Sequence, residues 1–188
     1  KASSGIYGGG LTDVNNDGSV TVGKLGVGLA TDAGNITNSG NITAGESSVY
    51  IYSNTGNTNN GIDLTLSDYS VGMYTKGGNF TNNAKITTGK TDIINEKISV
   101  GMATTKGTIT NSVTGTIEVG TKNSVGMLAS DPNFATSSYV SGIYSGGRAD
   151  NIGLIEVTGE GAYGMQAANN STVENNGTIN VKGKGARG

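Results

Sequence analysis

The sequence offers few groups that could perform catalysis. It contains no histidine and no cysteine, which removes the usual pairs of a nucleophile with its base. Two carboxylates, Glu118 and Glu156, follow similar apolar residues and could lie close together, and a retaining glycosidase needs two carboxyls about 5 Å apart. We interpret both as solvated side chains, because other copies of the same pattern carry unreactive residues, namely Thr21, Thr43, Thr65, Thr87 and Asn180.

One segment resembles a calcium loop. The run from Asp13 to Gly18 reads D-x-N-x-D-G, the order of oxygen ligands and turn glycine that opens such a loop. The twelfth position is Lys24 instead of the bidentate acid. The segment also coincides with a turn that recurs along the chain. We therefore interpret it as a structural turn and expect no cofactor, leaving calcium at Asp13 and Asp17 as the open alternative.

Composition points to β-structure. Apolar residues make up only 34% of the 188 residues, which could indicate disorder, but the charged fraction is only 14% and Val, Ile and Thr are frequent; this combination favours strands. A net charge of −2 offers no basic surface for nucleic acid. No apolar run approaches the roughly 20 residues of a membrane helix.

Two patterns repeat along the chain. The first is an apolar-Gly-apolar triplet, as in Val71-Gly72-Met73, and it contains all four methionines. The second is a turn followed by an alternating run; its turn residues Gly18, Gly40, Gly61 and Ala84 are 22, 21 and 23 residues apart. Short strands joined by Gly/Asn turns at this period are typical of a solenoid. Four turn asparagines, Asn16, Asn38, Asn60 and Asn82, recur in register and are expected to hydrogen-bond along the axis. The sequence predicts a single all-β domain over 1–188, a right-handed parallel β-helix of about eight coils. Both ends fall within the first pattern, so we expect the natural protein to continue beyond them.

In such a solenoid the residues that follow the repeat are needed for stacking, so binding residues are sought where the chain departs from it. Two insertions, 90–97 and 128–141, are expected to form protruding loops. The second contains an aromatic and polar mixture suited to a partner: Asp131, Asn133, Phe134 and Tyr139. Tyr52 and Tyr74 are expected to point outward from consecutive coils, either as a binding pair or as a pair that only stabilises the sheet.

The repeated Val-Gly-Met triplet followed by Ile-Thr-Asn-Ser and Gly-x-Ile-x-Val resembles the passenger repeats of large monomeric autotransporter adhesins, most of all those of fusobacterial type. That resemblance covers essentially the whole chain. It implies a cell-surface location, with an outer-membrane β-barrel outside this sequence as the anchor. It also implies a monomeric rod that contacts a host or bacterial receptor, either protein or glycan.

The sequence thus predicts a non-enzymatic adhesin segment that binds partners or spaces a distal binding site from the outer membrane. The alternatives are a β-helical polysaccharide lyase or hydrolase of tailspike type, which would need an acidic cleft, and an ice-binding solenoid, which would need a flat threonine face.

Overall fold

A computed structural model of the chain describes residues 3–130 and 146–188. These residues form 21 β-strands and no helix. Three strands make one coil, and strands in equivalent positions of neighbouring coils pair in parallel everywhere except at one break. The predicted all-β parallel solenoid is therefore confirmed.

The strands form three faces. The first sheet contains β1 (Ser4–Gly8), β4 (Val27–Thr31), β7 (Val49–Ser53), β10 (Val71–Thr75), β13 (Val100–Thr104), β16 (Val125–Ala129) and β19 (Tyr163–Ala167). The second contains β2 (Val14–Asn16), β5 (Ile36–Asn38), β8 (Thr58–Asn60), β11 (Asn79–Asn82), β14 (Thr108–Asn111), β17 (Arg148–Asn151) and β20 (Thr172–Asn175). The third face consists of β3 (Ser19–Val22), β6 (Asn41–Ala44), β9 (Leu64–Thr65), β12 (Lys85–Thr87), β15 (Thr116–Val119), β18 (Leu154–Val157) and β21 (Thr178–Val181).

Residues of one type stack along the axis to form the core. Met73 pairs with Met102, Met102 with Met127, and Met127 with Met165. The first three are 0% exposed and Met165 is 8% exposed. Because each coil covers the apolar side chains of the next, stacking creates a core that no single coil could form. The methionine column that the repeat predicts is confirmed.

A second column consists of seven asparagines, all buried except the last. The Nδ2 of each residue donates to the Oδ1 of the next, at 2.8, 2.9, 3.0, 3.1, 2.9 and 2.7 Å. The column runs through Asn16, Asn38, Asn60, Asn82, Asn111, Asn151 and Asn175. An amide carries both a donor and an acceptor, so it can bond to the coil on either side. The sequence analysis identified the first four members; the ladder continues through the irregular coils.

The glycine of the repeated triplet is required by the close approach of neighbouring coils. A Cβ at Gly101 would lie 2.6 Å from the carbonyl oxygen of Gly126, and one at Gly72 would lie 2.5 Å from that of Gly101. The strand pairing also skips this position: the partners on either side are Val71 with Val100 and Met73 with Met102. A side chain at Gly72 or Gly101 would therefore push against the backbone of the next coil.

The first insertion ends in a tight turn. Asp92 and Lys97 form an antiparallel bridge, and the Asp92 carboxylate accepts hydrogen bonds from the backbone of Ile94 and Asn95. Ile93 is 60% and Ile94 89% exposed. In the second insertion, Leu128 and Ala129 belong to strand β16 instead of the loop, and residues 131–141 lie outside the described residues.

Candidate functional site

The outer surface of the first sheet is apolar. A second cluster of buried side chains, separate from the core, contains Val71, Ile98, Val100, Ala103, Val125 and Leu128, with Val49, Tyr74 and Tyr163 partly buried at its edge. We call this surface the outer apolar face. The corresponding row on the second sheet is polar, with Asn15, Thr37, Asn59, Thr81, Thr110, Asp150 and Glu174. The six central side chains are at most 8% exposed, so a partner can reach this face only at its edge, where Val49, Tyr74 and Tyr163 are partly buried.

Tyr52 and Tyr74 form an aromatic pair on this sheet. They are register partners in β7 and β10, their ring centroids are 5.7 Å apart, and the rings are tilted by 50°. Both side chains are half-buried. The spacing is that of a favourable tilted aromatic contact. Their predicted placement in consecutive coils is observed, and a binding role for them stays a prediction.

A groove of about 310 Å³ lies between Tyr74 and the first insertion. We call it the tyrosine groove. Its walls combine aromatic, aliphatic and polar groups: Leu25, Ser47, Ser48, Val49, Tyr69, Val71, Tyr74, Glu96, Lys97 and Ile98. The groove therefore joins the edge of the outer apolar face to charged side chains of the insertion.

Tyr69 adopts an unusual backbone conformation in this groove. Its φ is +62°, in the left-handed region that costs a bulky residue of order 1–3 kcal/mol. The same corner, two residues before the strand, carries Leu25 and Ser47 in earlier coils and Asn123 and Gly161 in later coils, all with positive φ. Asparagine and glycine tolerate this conformation well. The chain thus keeps an aromatic ring at a corner where a smaller residue would be more stable.

The ring of Tyr69 contacts a cation. The Nζ of Lys97 lies 5.3 Å from the ring centroid, within the range of a cation–π interaction. No ion pair joins Lys97 to another residue in the described ranges. A hydrogen bond from the side chain of Asn95, followed by one from its backbone N–H, lowers the pKa of Asp92 at the base of this turn. The turn that carries Lys97 is thus fixed by its own carboxylate.

Ion pairs at the edge of the groove are exposed. Lys24 contacts Glu46 at 2.8 Å, and Lys90 contacts Asp68 at 3.5 Å. Exposed pairs of this kind contribute about 0–1 kcal/mol each. The groove therefore has apolar walls and a charged, solvated rim, which is the arrangement found in recognition surfaces.

The other candidate residues have different surroundings. Asp131, Asn133, Phe134 and Tyr139 lie outside the described residues. Asn16 of the calcium-like segment is committed to the asparagine ladder, and the Asp13 carboxylate accepts the N–H of Asn35 in the next coil. Within the described ranges no cluster of three acidic residues could hold a metal ion.

Glu118 and Glu156 are neighbours, as their shared pattern suggests. They are register partners in β15 and β18. Each has a nearby ammonium group: Lys85 lies 3.6 Å from Glu118, and Lys182 lies 3.6 Å from Glu156. The hydroxyl of Thr87 also donates to Glu118. The row that contains them is otherwise an ordinary outward row of the third face.

Sequence reasoning missed Tyr69 and Lys97. The signal for Tyr69 was weak, because the position two residues before the strand holds serine, asparagine or glycine in some coils but Leu25 and Ile98 in others. Lys97 had no such signal, because its placement over the ring depends on the fold of the insertion.

No protein-family model, curated protein or solved structure matches the chain. No helix long and apolar enough to cross a membrane occurs in the part of the chain that the structure describes.

Proposed function

We propose that this chain is a segment of a cell-surface adhesin, the passenger of a monomeric autotransporter, and that it contacts its partner through the tyrosine groove at the edge of the outer apolar face. One observation carries the proposal. The outward row of the second sheet is polar, whereas the edge of the first sheet places the partly buried Val49 and Tyr74 in the wall of a groove with a charged rim. The autotransporter class and the outer-membrane location rest on the resemblance of the repeats.

The solenoid suits this role mechanically. Seven coils at roughly 4.8 Å each give a rod of about 34 Å, and every coil is bonded to the next through at least two sheets and the asparagine ladder. A surface on such a rod keeps its geometry, so a partner loses little entropy in ordering it. Tyr69 and Tyr74 would serve as aromatic anchors, and Lys97 and Glu96 would orient the partner.

We propose no catalytic role. The adjacent carboxylates Glu118 and Glu156 each have a lysine nearby and lie on an exposed strand row instead of in an acidic cleft. These same two glutamates interrupt the threonine row of the third face, which weighs against an ice-binding surface.

The test is a binding assay on the intact chain. Beads coated with the protein are presented to host epithelial cells and to other bacteria, and attachment is counted. We expect attachment, and we expect it to fall at least about fivefold with Tyr69→Asn or Lys97→Ala, since hot-spot residues each supply 1 kcal/mol or more. Tyr69→Asn should preserve the fold, because asparagine tolerates the left-handed corner.

The matched control is Thr81→Ala, an outward substitution on the second sheet that should leave attachment unchanged. Equal attachment by all variants would refute the groove as the contact surface. Failure of the intact chain to attach to either kind of cell would refute the proposal that this segment binds.

A further inference from the structure

A single coil breaks the glycine rule of the triplet. Tyr50 stands where Gly28, Gly72, Gly101 and Gly126 stand in other coils. A Cβ at Gly28 would lie 2.7 Å from the Cγ2 of Ile42 on the third face, so a larger side chain at this position must displace that face. Tyr50 is nonetheless only 2% exposed. Its ring is therefore accommodated inside the rod.

The third face is split at this coil. Strands β3 and β6 form a two-stranded sheet, and β9, β12, β15, β18 and β21 form another. Strands β6 and β9 belong to successive coils but are not paired with each other. The first and second sheets run through the same coils without a break. The gap is thus confined to the face that the Tyr50 side chain enters.

The tyrosine hydroxyl replaces the lost backbone contacts. Tyr50 Oη donates to the carbonyl oxygen of Thr65 at 2.8 Å and accepts the N–H of Ser67 at 2.9 Å. In the intact coils the equivalent bonds are Gly45 N to Val22 O and Leu66 N to Thr87 O. At the same positions one coil along, 22 residues away, the N–H of Ala44 would donate to the carbonyl of Thr65, and the carbonyl of Ala44 would accept the N–H of Ser67. One hydroxyl therefore takes the place of two backbone groups.

The split leaves an open cleft of about 590 Å³. We call it the Tyr50 cleft. Its walls are Ser19, Thr21, Asn41, Ile42, Thr43, Tyr50, Asp63 and Thr65. Ile42 and Tyr50 are buried, so the exposed lining consists of four hydroxyls, one amide and one carboxylate.

These polar groups are arranged regularly and are available for bonding. Thr21 is the register partner of Thr43, and Ser19 of Asn41, so neighbouring groups are about 4.8 Å apart. Among the described residues, the side chains of Thr21, Asn41 and Thr43 have no hydrogen-bond partner. Asp63 accepts the N–H of Lys85 through Oδ1, so its second carboxylate oxygen can accept a hydrogen bond from a ligand.

We propose that the Tyr50 cleft is a binding site for neutral carbohydrate. Sugar hydroxyls both donate and accept hydrogen bonds, and the lining supplies hydroxyl and amide groups of both kinds together with the strong acceptor Asp63. No lysine or arginine lines the cleft, so nothing there recruits an acidic ligand. The exposed lining is polar, which disfavours an apolar ligand. This site is on a different sheet from the tyrosine groove and does not depend on it.

The test uses defined probes: the methyl glycosides of glucose, galactose, mannose and N-acetylglucosamine, and disaccharides of each. Binding to the intact protein is measured by saturation-transfer NMR and the affinity by titration. We expect at least one probe to bind, and we expect Asp63→Ala to weaken its binding by about tenfold or more, since losing a charge-assisted bond costs about 1.5–3 kcal/mol. Thr110→Ala, an outward substitution on the second sheet, should leave binding unchanged.

Tyr50→Gly provides the second arm. Restoring the glycine should let β6 pair with β9, close the cleft and abolish sugar binding, while far-ultraviolet circular dichroism stays that of a β-helix. If this variant does not fold, Thr43→Val replaces it, because it removes a lining hydroxyl without entering the core. Binding of none of the probes would overturn the proposal, as would sugar binding that survives Asp63→Ala. Tyr69→Asn should not affect sugar binding, so failure here is distinguishable from failure of the adhesion proposal.

Discussion

Removing one amide from the middle of the asparagine ladder should destabilise the protein far more than removing one from its end. Asn82 is 0% exposed. Its Nδ2 donates to Ala84 O at 2.6 Å and to Asn111 Oδ1 at 3.1 Å. Its Oδ1 accepts from Asn60 Nδ2 at 3.0 Å. Asn82→Ala removes these bonds together and leaves the Asn111 oxygen buried with no amide above it.

The structure gives a magnitude for this change. An orphaned buried acceptor costs about 1–3 kcal/mol and each lost bond about 1 kcal/mol net, so we expect the free energy of unfolding to fall by about 3 kcal/mol. Asn175→Ala is the matched control, because Asn175 is exposed and ends the ladder; it should cost under about 1 kcal/mol. Urea unfolding followed by circular dichroism measures both. A difference between the two variants below about 0.5 kcal/mol would refute the view that the ladder stabilises the stack.

Three further predictions concern stability. Met102→Ala should lower the free energy of unfolding by about 2–5 kcal/mol, since the side chain is fully buried; a loss below about 1 kcal/mol in urea unfolding would contradict the stacked core. Tyr50→Phe should lower the free energy of unfolding by about 1–3 kcal/mol, because it leaves the carbonyl of Thr65 and the N–H of Ser67 without their partner. Faster hydrogen exchange at the Ser67 amide would confirm this role of the hydroxyl, and unchanged exchange would contradict it. The N–H of Gly10, followed by the Tyr7 hydroxyl, lowers the pKa of Asp32, so Asp32 stabilises the fold above the unfolded-state pKa of about 3.9 and this contribution is lost as the pH falls through the native pKa. Asp32→Asn should therefore reduce the loss of stability between about pH 6 and pH 3 in thermal melts, and an unchanged pH dependence would show that the contact is not formed in solution.

The regular part of the fold was accessible from the sequence because stacking makes each coil repeat its neighbours. The apolar residues of the triplet, such as Val71 and Met73, occupy the same two positions in successive coils, and a glycine separates them in every coil but that of Tyr50. Spacing alone therefore predicted the column. The asparagine ladder was recognised only as far as Asn82. Beyond it, insertions of differing length alter the spacing, although Asn111 and Asn151 occupy the same structural position.

The irregular features were less accessible. A repeat pattern treats Tyr50 as a poor copy of glycine, and only the packing shows that its ring must split the third face. Similarly, the contact of Lys97 with Tyr69 requires the insertion to fold back over the preceding coil. The pairing of Tyr52 with Tyr74 was predictable because both residues follow the repeat.

The proposed function requires that attachment to a cell uses the tyrosine groove at the edge of the outer apolar face, and that the rest of the rod positions this groove. Site-specific photo-crosslinking tests this claim most directly. A photoreactive amino acid is placed at Tyr74 on the first sheet, at Thr110 on the second or at Glu156 on the third, and each protein is irradiated on attached cells. The account predicts abundant crosslinks to cell-surface molecules from position 74 and few from positions 110 and 156. Equal yields from all three faces, or a higher yield from position 110 or 156, would contradict it.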